Sequence, residues 1–430
     1  MKALVWYTNN LRTEDHPLLY KASEEAETVE AFYCYDPTQF EKDDQGLIKI
    51  GPFRQKFLIE SLLDLQQQLK ALRIPLHILV GRPEEEIPLL VAQIGATDMF
   101  IQKNWHEEER RLERSVSKKL KGQISLHSAY DQFLITPSQL PFKISELPRV
   151  FTVFRKKIEY QLSIEGPLGI PKAMDQNIEA MISEKWDTIV KNSIAIKSDS
   201  RTAFPFKGGS QAGLDRISSY FWETDHVAVY KKTRNGMIGT EYSTKFSPWL
   251  SNGSISPRTI YSLLKQYEKE RTSNESTYWV FFELLWREFF KYVGLKHGNL
   301  LFKSGGILNK EFAQGKDDLE FQKWKEGNTS NSFINAHMKE LAHTGWMSNR
   351  GRQNVASYWS KTMGQDWRRG AAYFENMLLD YDVDSNWGNW MYNSGVGNDP
   401  RDRIFDPNRQ AKMYDPDGKF QKTWLQERLF

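Results

Sequence analysis

The chain has 430 residues, enough for about two or three folded domains, and its mean hydropathy of −0.61, without any run of about 18 apolar residues, excludes a membrane-spanning helix. Its single cysteine, Cys34, excludes an internal disulfide and an iron–sulfur cluster, so any redox chemistry requires an organic cofactor. Acidic residues outnumber basic ones 29 to 26 in residues 1–200, whereas basic ones lead 32 to 26 in residues 201–430, which predicts separate modules and a polyanionic partner for the second half.

Short apolar runs alternate with helical patterns through the first part of the chain. The runs that indicate strands are Ala3–Tyr7, Val29–Tyr35, Leu76–Val80, Asp98–Ile101 and Ile124–His127. The clearest helix between them is predicted over residues 52–72, where apolar side chains repeat at helical spacing. Residues 1–135 are therefore predicted to form a parallel, Rossmann-like α/β domain. Because Ala3–Tyr7 follows the first residues directly, no targeting peptide is expected and the protein is predicted to be cytoplasmic.

Prolines interrupt the helical periodicity between residues 136 and 205. They are Pro137, Pro141, Pro148, Pro167 and Pro171. Only a short helix, Thr152–Gln161, is predicted among them, and we interpret the segment as a connector. Residues 206–430 show helical spacing almost throughout and hold 11 of the 14 tryptophans. This predicts a compact all-α domain with either a large aromatic core or a stacked planar ligand.

A polar segment precedes the helix predicted over Ser256–Glu270. It runs from Tyr230 to Gly253 and contains Ser243, Thr244, Lys245 and Ser247. Hydroxyls and free backbone N–H groups ahead of a helix, with the charge of Lys245, favour an anion such as a diphosphate. The alternative is an ordinary polar turn, with Ser256 as the N-cap residue and Pro257 in the first turn.

Four side chains share one face of the helix predicted near Tyr278–Tyr292. They are Trp279, Glu283, Trp286 and Arg287, at positions i, i+4, i+7 and i+8. A carboxylate between indoles must be hydrogen-bonded or protonated, so Glu283 is a candidate ligand contact or proton donor. The alternative is an intrahelical pair of Glu283 and Arg287 at the surface.

Three further motifs combine polar groups with apolar flanks. They are NRGRQNVAS at Asn349–Ser357, DYD at Asp380–Asp382 and NWGNW at Asn386–Trp390. Asn349, Arg352 and Gln353 share one helix face. Arg352 with Asp380 and Asp382 is expected to form a fixed network beside a polar heterocycle. A network of surface ion pairs is the alternative.

Taken together, these segments resemble the photolyase and cryptochrome flavoproteins, and most closely their DASH branch. The similarity covers essentially the whole chain, and its long C-terminal motifs are specific. The resemblance implies an antenna-binding α/β domain over residues 1–135, a connector over 136–205 and a helical FAD-binding domain over 206–430. It also implies an antenna, a folate (methenyltetrahydrofolate) or alternatively a deazaflavin, with Glu109 as a candidate contact, and no metal.

The resemblance assigns roles to individual residues. Those that match the family's FAD contacts are Tyr230, Ser243, Thr244, Lys245, Phe246, Ser247, Arg287, Asn349, Arg352, Asp380, Asp382 and Asn386. Those that match its substrate pocket are Glu283, Trp286, Arg350, Gln353 and Tyr392. The candidate catalytic residues are Glu283, Asn349 and Asn386. Asp382 and Asn386 are expected to stabilise the reduced, anionic flavin.

The implied activity is light-driven repair of cyclobutane pyrimidine dimers, in which reduced FAD lends an electron to a flipped dimer. A preference for single-stranded or looped DNA and a monomeric protein are also expected. A blue-light photoreceptor is the alternative, and the enzyme is favoured because Tyr414–Trp424, which resembles the end of the conserved module, is followed only by residues up to Phe430. Repair of (6-4) photoproducts is disfavoured, since Ser348 and Asn349 stand where that branch has paired histidines.

The resemblance further implies an electron relay of tryptophans. Trp390 and Trp367 match its first two members, whereas its outer position falls at Gln314. An amide cannot be oxidised in this role, so photoreduction from solvent is expected to be slow. Trp359 and Tyr373 are the candidate substitutes.

Overall fold

A computed structural model describes residues 1–42, 46–161, 163–310 and 314–426, so Phe430 lies outside the described residues. The first part of the chain forms a five-stranded parallel sheet in the order β3-β2-β1-β4-β5. The strands are β1 (Lys2–Tyr7), β2 (Thr28–Tyr35), β3 (Leu76–Val80), β4 (Asp98–Gln102) and β5 (Ser125–Ala129). The five predicted strands and the Rossmann-like fold class are therefore confirmed.

Helices cover the sheet, as the burial of its central strand requires. Five of the six residues of β1 are buried, which is the pattern of a strand with both faces covered. The helices are α1 (Pro17–Glu25), α2 (Pro52–Ala71), α3 (Pro83–Ile94) and α4 (Glu107–Lys119). The predicted helix over residues 52–72 is α2. Its Leu62, Leu65 and Leu69 join the core against the sheet, whereas Phe57 joins the core of the helical part.

Among its described residues, the connector holds two α-helices, α5 (Phe151–Gln161) and α6 (Trp186–Ile194). The first confirms the predicted helix, and the second was not predicted. Trp186 is buried in the core against the sheet, so a long-range apolar contact holds α6 in place. The domain boundaries stay predictions.

Helices also make up the last part of the chain. They are α7 (Ser210–Ser218), α8 (Tyr230–Thr233), α9 (Ser247–Ser251), α10 (Pro257–Glu270), α11 (Glu275–His297), α12 (Asp318–Lys325), α13 (Ser332–Thr344), α14 (Asn349–Ser357), α15 (Trp367–Met377), α16 (Val383–Ser394), α17 (Pro407–Tyr414) and α18 (Lys419–Leu425). Among the described residues of this part, strand pairing is limited to an isolated bridge between Gly315 and Gln365. The all-α prediction is confirmed.

A buried polar network joins the sheet to the helical part. Arg12 donates to the backbone oxygens of Asp131 at 2.9 Å and Gly253 at 3.1 Å. The carboxylate of Asp15 pairs with Arg258 at 2.7 Å. Since buried charges are tolerated only when they are paired, these contacts fix how the two parts meet.

Glu288 ties α11 to the segment that follows β5. Its buried carboxylate accepts hydrogen bonds from the backbone N–H groups of Leu134 (2.9 Å) and Ile135 (3.2 Å). It also pairs with Arg287 at 3.0 Å. The helix that carries the candidate substrate residues is thereby held against the α/β domain.

Candidate functional site

A cavity of about 570 Å³ lies in the helical part, a volume typical of cofactor sites. Its wall comes mainly from α11, α14, α16 and the loop before α9. The residues singled out from the sequence as FAD or substrate contacts all lie in this wall: Tyr230, Ser243, Thr244, Lys245, Phe246, Ser247, Glu283, Trp286, Arg287, Asn349, Arg350, Arg352, Gln353, Asp380, Asp382, Asn386 and Tyr392. Segments far apart in the chain therefore meet at one site.

Arg216 shapes the loop that leads to α9. Its guanidinium donates to the backbone oxygens of Thr240, Ser243 and Thr244 at 3.0 to 3.1 Å. It also pairs with the carboxylate of Glu241 at 3.0 Å. A buried guanidinium with this many acceptors fixes the loop backbone, which sets the positions of the hydroxyl groups in the cavity wall.

We expect the replacement of Arg216 by Met to lower the free energy of unfolding by about 1–3 kcal/mol, because three backbone carbonyl groups lose the buried guanidinium that donates to them. FAD should also bind more weakly, since the loop is no longer held. Thermal unfolding and fluorescence titration with FAD measure the two effects. Arg114→Met is the control, because Arg114 forms only an exposed pair with Glu107. Equal losses in the two variants would contradict the role given to Arg216.

Lys245 carries a buried positive charge in this loop. It is 2% exposed, and its backbone adopts the left-handed region with φ +59°. Its ammonium lies 3.2 Å from the centre of the Tyr242 ring and 3.4 Å from the hydroxyl of Ser243, and no described carboxylate lies within 4.0 Å. Burial lowers the pKa of Lys245, and the charge of Arg216 lowers it further. An ammonium without a carboxylate fits the diphosphate of FAD.

Arg352 and Asp380 form a fixed ion pair in the wall. The Nη2 atom of Arg352 lies 3.0 and 2.9 Å from the two carboxylate oxygens of Asp380. Arg352 also donates through Nε to the backbone oxygen of Met347 at 2.9 Å, and the hydroxyl of Ser247 donates to Asp380 at 2.7 Å. The predicted pair of Arg352 and Asp380 thus lies in the cavity wall rather than on the outer surface, whereas Asp382 pairs with Lys291 and not with Arg352.

Asp382 stays ionised because it is held by a buried lysine. Its carboxylate pairs with the ammonium of Lys291 at 2.8 Å and accepts from the N–H of Ser385 at 2.9 Å, which caps α16. Burial alone would raise the pKa of Asp382, but Lys291 and Arg287 hold it well below its ordinary value. The site therefore keeps one fixed negative charge beside the cavity.

Asn386 lies one turn further along α16. Its side-chain nitrogen donates to the backbone oxygen of Ala371 at 3.0 Å. This hydrogen bond fixes the amide and leaves Oδ1, an acceptor, for the cavity. An acceptor at this position fits an N–H group of a flavin ring.

Glu283 pairs with Arg234, which directly follows α8, and not with Arg287. Arg287 instead donates to the backbone oxygen of Gln132 at 2.8 Å and pairs with Glu288. The alternative of an intrahelical surface pair is therefore wrong. Burial raises the pKa of Glu283, and the charge of Arg234 opposes this rise.

Trp286 and Tyr392 form an aromatic corner of the cavity. The ring of Trp286 stacks on Phe151 of α5, with 3.7 Å between the ring centres and 11° between the planes. Tyr392 meets Trp286 edge-on at 5.8 Å. Phe151 of the connector therefore packs against the substrate side of the cavity. Its stacking on one face of the Trp286 ring holds that ring in place.

Polar side chains of α14 line the same cavity. Arg350 donates to the side-chain oxygens of Gln353 at 2.9 Å and Asn235 at 3.1 Å. Asn349 is exposed at the start of the helix, where Ser348 provides the N-cap. These groups are available to a ligand that reaches the cavity from solvent.

The anion site differs from the expectation in one respect. Ser256 is buried, caps α10 by accepting from the N–H of Arg258 at 3.1 Å, and contacts Asp15 of the α/β domain. It does not line the cavity. The polar-turn alternative is therefore right for Ser256, because α9 separates it from the hydroxyl-rich loop.

Of the two tryptophans matched to the relay, one lies in the cavity wall and the other does not. Trp390 lies in the cavity wall and contacts Trp324, with 6.1 Å between ring centres. Trp324 contacts Trp359 at 5.1 Å. Trp367 does not line the cavity and contacts Trp387 at 5.7 Å.

A second cavity of about 540 Å³ lies between the α/β domain and the helical part. Glu109 lies in its wall with His106, Trp105 and Trp387. Within the described parts of the chain, Oε2 of Glu109 and Nδ1 of His106 are buried without hydrogen-bond partners. Burial raises the pKa of Glu109. The wall thus offers polar atoms and aromatic rings to a ligand.

Sequence reasoning did not single out Lys291, Arg234 or Trp387. Lys291 lies four residues after Arg287 among apolar residues of α11, and a lysine in such a run signals a buried ion pair. Arg234 and Trp387 belong to segments that had been singled out, but nothing local to the sequence indicates their partners.

Comparison with known proteins agrees with this geometry. Residues 3–174 match the family described as DNA photolyase, and residues 279–428 match the FAD binding domain of DNA photolyase. Cryptochrome DASH of Synechocystis sp. is 44% identical over 99% of this chain and 87% of the relative. The chain belongs to the photolyase and cryptochrome family, in its DASH branch.

Other members of the family support the same assignment. Cryptochrome DASH of Danio rerio is 43% identical, covering 97% of this chain and 82% of the relative. The crystal structure of the Synechocystis sp. cryptochrome superposes with a TM-score of 0.92 at 43% identity, covering 99% of this chain and 88% of that one. The resemblance stated from the motifs is confirmed, and FAD is the cofactor of this family member.

The described residues provide neither a metal site nor a membrane span. They contain no cluster of three or more His, Cys, Asp or Glu side chains that would hold a metal ion. None of the helices described is long and apolar enough to cross a membrane.

Proposed function

We propose that this photolyase-family chain is a deoxyribodipyrimidine photo-lyase that repairs cyclobutane pyrimidine dimers under blue light and prefers single-stranded or looped DNA. The observation that carries the proposal is the division of one cavity into two parts. The ion pair of Arg352 and Asp380 lies in the polar part, and Glu283, Trp286 and Tyr392 lie in the aromatic part. The first suits a flavin, and the second suits two adjacent pyrimidines.

Each part of the wall has a task in this reaction. Reduced FAD supplies one electron to the dimer after light absorption and receives it back when the cyclobutane ring has opened. Lys245 would neutralise the diphosphate of bound FAD, and Arg352 holds Asp380 in place in the part of the wall that would hold the flavin. Trp286 and Tyr392 stack on the flipped bases and exclude water, while Glu283 hydrogen-bonds to a base edge.

The preference for single strands follows from the cost of flipping. Extruding a base from a duplex costs about a few kcal/mol, and least where pairing is already absent. Residues 201–430 hold 32 basic against 26 acidic residues, a modest excess that supports weak rather than avid binding of duplex DNA.

The second cavity is proposed to hold the antenna, a folate. Glu109 and His106 present polar atoms that lack partners among the described residues, beside the rings of Trp105 and Trp387. A planar heterocycle with donors and acceptors would hydrogen-bond to the polar atoms of Glu109 and His106 and stack on the two tryptophan rings.

The proposal also describes a cytoplasmic monomer. The support for a monomer is that residues of one chain line both cavities. Relatives vary in location: the Cryptochrome DASH of Arabidopsis thaliana is named chloroplastic/mitochondrial.

Illumination of the FAD-loaded, chemically reduced protein with a thymine-dimer oligonucleotide tests the function. We expect loss of dimers in the light and none in the dark, with faster loss from a single strand than from the matched duplex. A protein that binds flavin and responds to light but leaves dimers intact would instead be the photoreceptor named as the alternative.

Glu283→Ala is expected to leave FAD bound and to weaken binding of the dimer by about 1–3 kcal/mol, because a buried hydrogen bond to the base is lost. Flavin content and the affinity for a dimer-containing oligonucleotide measure the two effects. Glu275→Ala is the matched control, since Glu275 lies on the same helix but pairs only with the half-exposed Lys231. Loss of flavin with unchanged affinity for damaged DNA would reverse the assignment.

A further inference from the structure

Aromatic rings lead from the flavin cavity to the second cavity. Trp390 lines the flavin cavity and packs on α15 at Gly370, where a Cβ would lie 2.2 Å from Cη2 of Trp390. Trp367 stands one turn before Gly370 on the same helix face. Its ring meets Trp387 at 5.7 Å, and Trp387 lines the second cavity beside Phe302. Trp390 thus packs against the helix that carries Trp367, and the ring of Trp367 contacts the ring of Trp387.

The other rings that contact Trp390 lead to a closed end. Trp324 and Trp359 have no exposed surface, and Tyr373, which contacts Trp324, is 8% exposed. Burial raises the pKa of Tyr373 to about 12, so its phenol loses a proton with difficulty when it is oxidised. Within the part of the chain that the structure describes, the ring of Tyr373, 8% exposed, is the most that this branch offers to a reductant in solvent.

We propose that Trp387 is the outer member of the electron relay and that a small thiol in the second cavity supplies its electrons when this cavity holds no folate, as in protein loaded with FAD alone. The inference rests on the flavin photochemistry of the proposed function and adds the source of the electrons. Trp387 is half-buried, and its ring faces a cavity of about 540 Å³, which admits a small molecule. Photoreduction was expected to be slow because Gln314 stands at the outer position of the relay. A route through the second cavity predicts instead that photoreduction proceeds when a small thiol enters this cavity.

The electrons balance along this route. For each electron that leaves Trp390 toward the excited, oxidised flavin, one moves from Trp367 to Trp390 and one from Trp387 to Trp367. The thiol returns one electron to Trp387 and releases its proton to water, and two thiyl radicals join as a disulfide. The indole N–H of Trp387 donates to the oxygen of Tyr381 at 3.2 Å and keeps its proton, so only an electron moves.

The test measures photoreduction of the FAD-loaded protein under blue light with dithiothreitol. Trp387→Phe is expected to slow it by about tenfold, whereas Trp359→Phe, which probes the closed branch, stays within about twofold of the parent. The fluorescence lifetime of bound flavin should remain as short in Trp387→Phe as in the parent, because the first step from Trp390 is unchanged. Trp390→Phe should lengthen that lifetime. Flavin content and thermal unfolding show that each variant is intact.

A rate in Trp387→Phe within about twofold of the parent, or an equal slowing in Trp359→Phe, overturns the proposal. A second measurement needs no variant. A thiol protein too large for the second cavity should reduce the parent about tenfold more slowly than dithiothreitol of equal reducing strength, and equal rates overturn the proposal. Repair by the chemically reduced parent protein needs no relay, so that assay tests the proposed function alone, whereas photoreduction of the oxidised protein tests the relay alone, and the two failures are distinguishable.

Discussion

Replacing Lys291 by Met is expected to lower the free energy of unfolding by about 3–5 kcal/mol at neutral pH, because it leaves the carboxylate of Asp382 largely buried without its cation. Lys291 is itself buried, lies 2.8 Å from Asp382 and 3.8 Å from Asp384, and so serves two carboxylates. Asp384 in turn holds His106 at 2.9 Å, in the wall of the second cavity. Loss of Lys291 should therefore loosen the partition between the two cavities and weaken FAD binding.

Urea unfolding of the variant and the parent measures this effect, and its pH dependence gives a check. The folded pKa of Asp382 is lowered, so its pair contributes stability above the unfolded value of about 3.9, and this contribution is lost as the pH falls through the folded value. The difference between parent and variant should thus shrink in acid. Lys265→Met is the control, because Lys265 is exposed and its partner Glu268 keeps a hydrogen bond from the hydroxyl of Thr277 at 2.7 Å. A Lys291 variant as stable as this control would contradict the role assigned here.

Local pattern was enough to predict the sheet and its helices. The run Leu76–Val80 has the bounds of β3, because a short apolar run between polar loops satisfies its burial with no information from elsewhere in the chain. The helix α6 shows the opposite case. It depends on Trp186 packing under the sheet, and that contact joins residues far apart in sequence.

In the site, too, local pattern predicted which residues take part, and long-range contacts that it could not predict decide their partners. Residues such as Arg352 and Asp380 belong to motifs long enough to be matched one by one, and the structure brings them within 3.0 Å. The partner of Glu283 was not predictable, since the helical rule points to Arg287 and the structure supplies Arg234 from another element. Motifs thus locate a side chain in the site, whereas tertiary packing decides which charge it faces.

Lys245→Met is expected to change two properties in opposite directions. Without a ligand, the ammonium of Lys245 is buried, and no carboxylate among the described residues lies within 4.0 Å of it, so removing the charge should stabilise the apoprotein. With FAD, the same change removes a charge-assisted contact to the diphosphate, worth about 1.5–3 kcal/mol, and affinity should fall. A side chain that serves packing alone would not produce this opposition.

The pH dependence of the apoprotein should change as well. Burial and Arg216 lower the folded pKa of Lys245, so the unfolded chain binds more protons between the folded and unfolded values. The stability of the parent therefore rises with pH across that window, and this contribution to the slope should be absent in Lys245→Met. Bound diphosphate opposes the shift, because a nearby anion favours the protonated form.

Thermal unfolding of the apoprotein and fluorescence titration with FAD, each at several pH values, decide the matter. Lys232→Met is the matched control, because Lys232 is exposed two residues after Tyr230, at the start of the same polar segment, and lies outside the cavity wall. It should leave both properties unchanged. If Lys245→Met instead lowers the stability of the apoprotein together with the affinity for FAD, the lysine is part of the packed core. If Lys245→Met raises the stability of the apoprotein and lowers the affinity for FAD, the loop contains an unpaired charge that the cofactor neutralises.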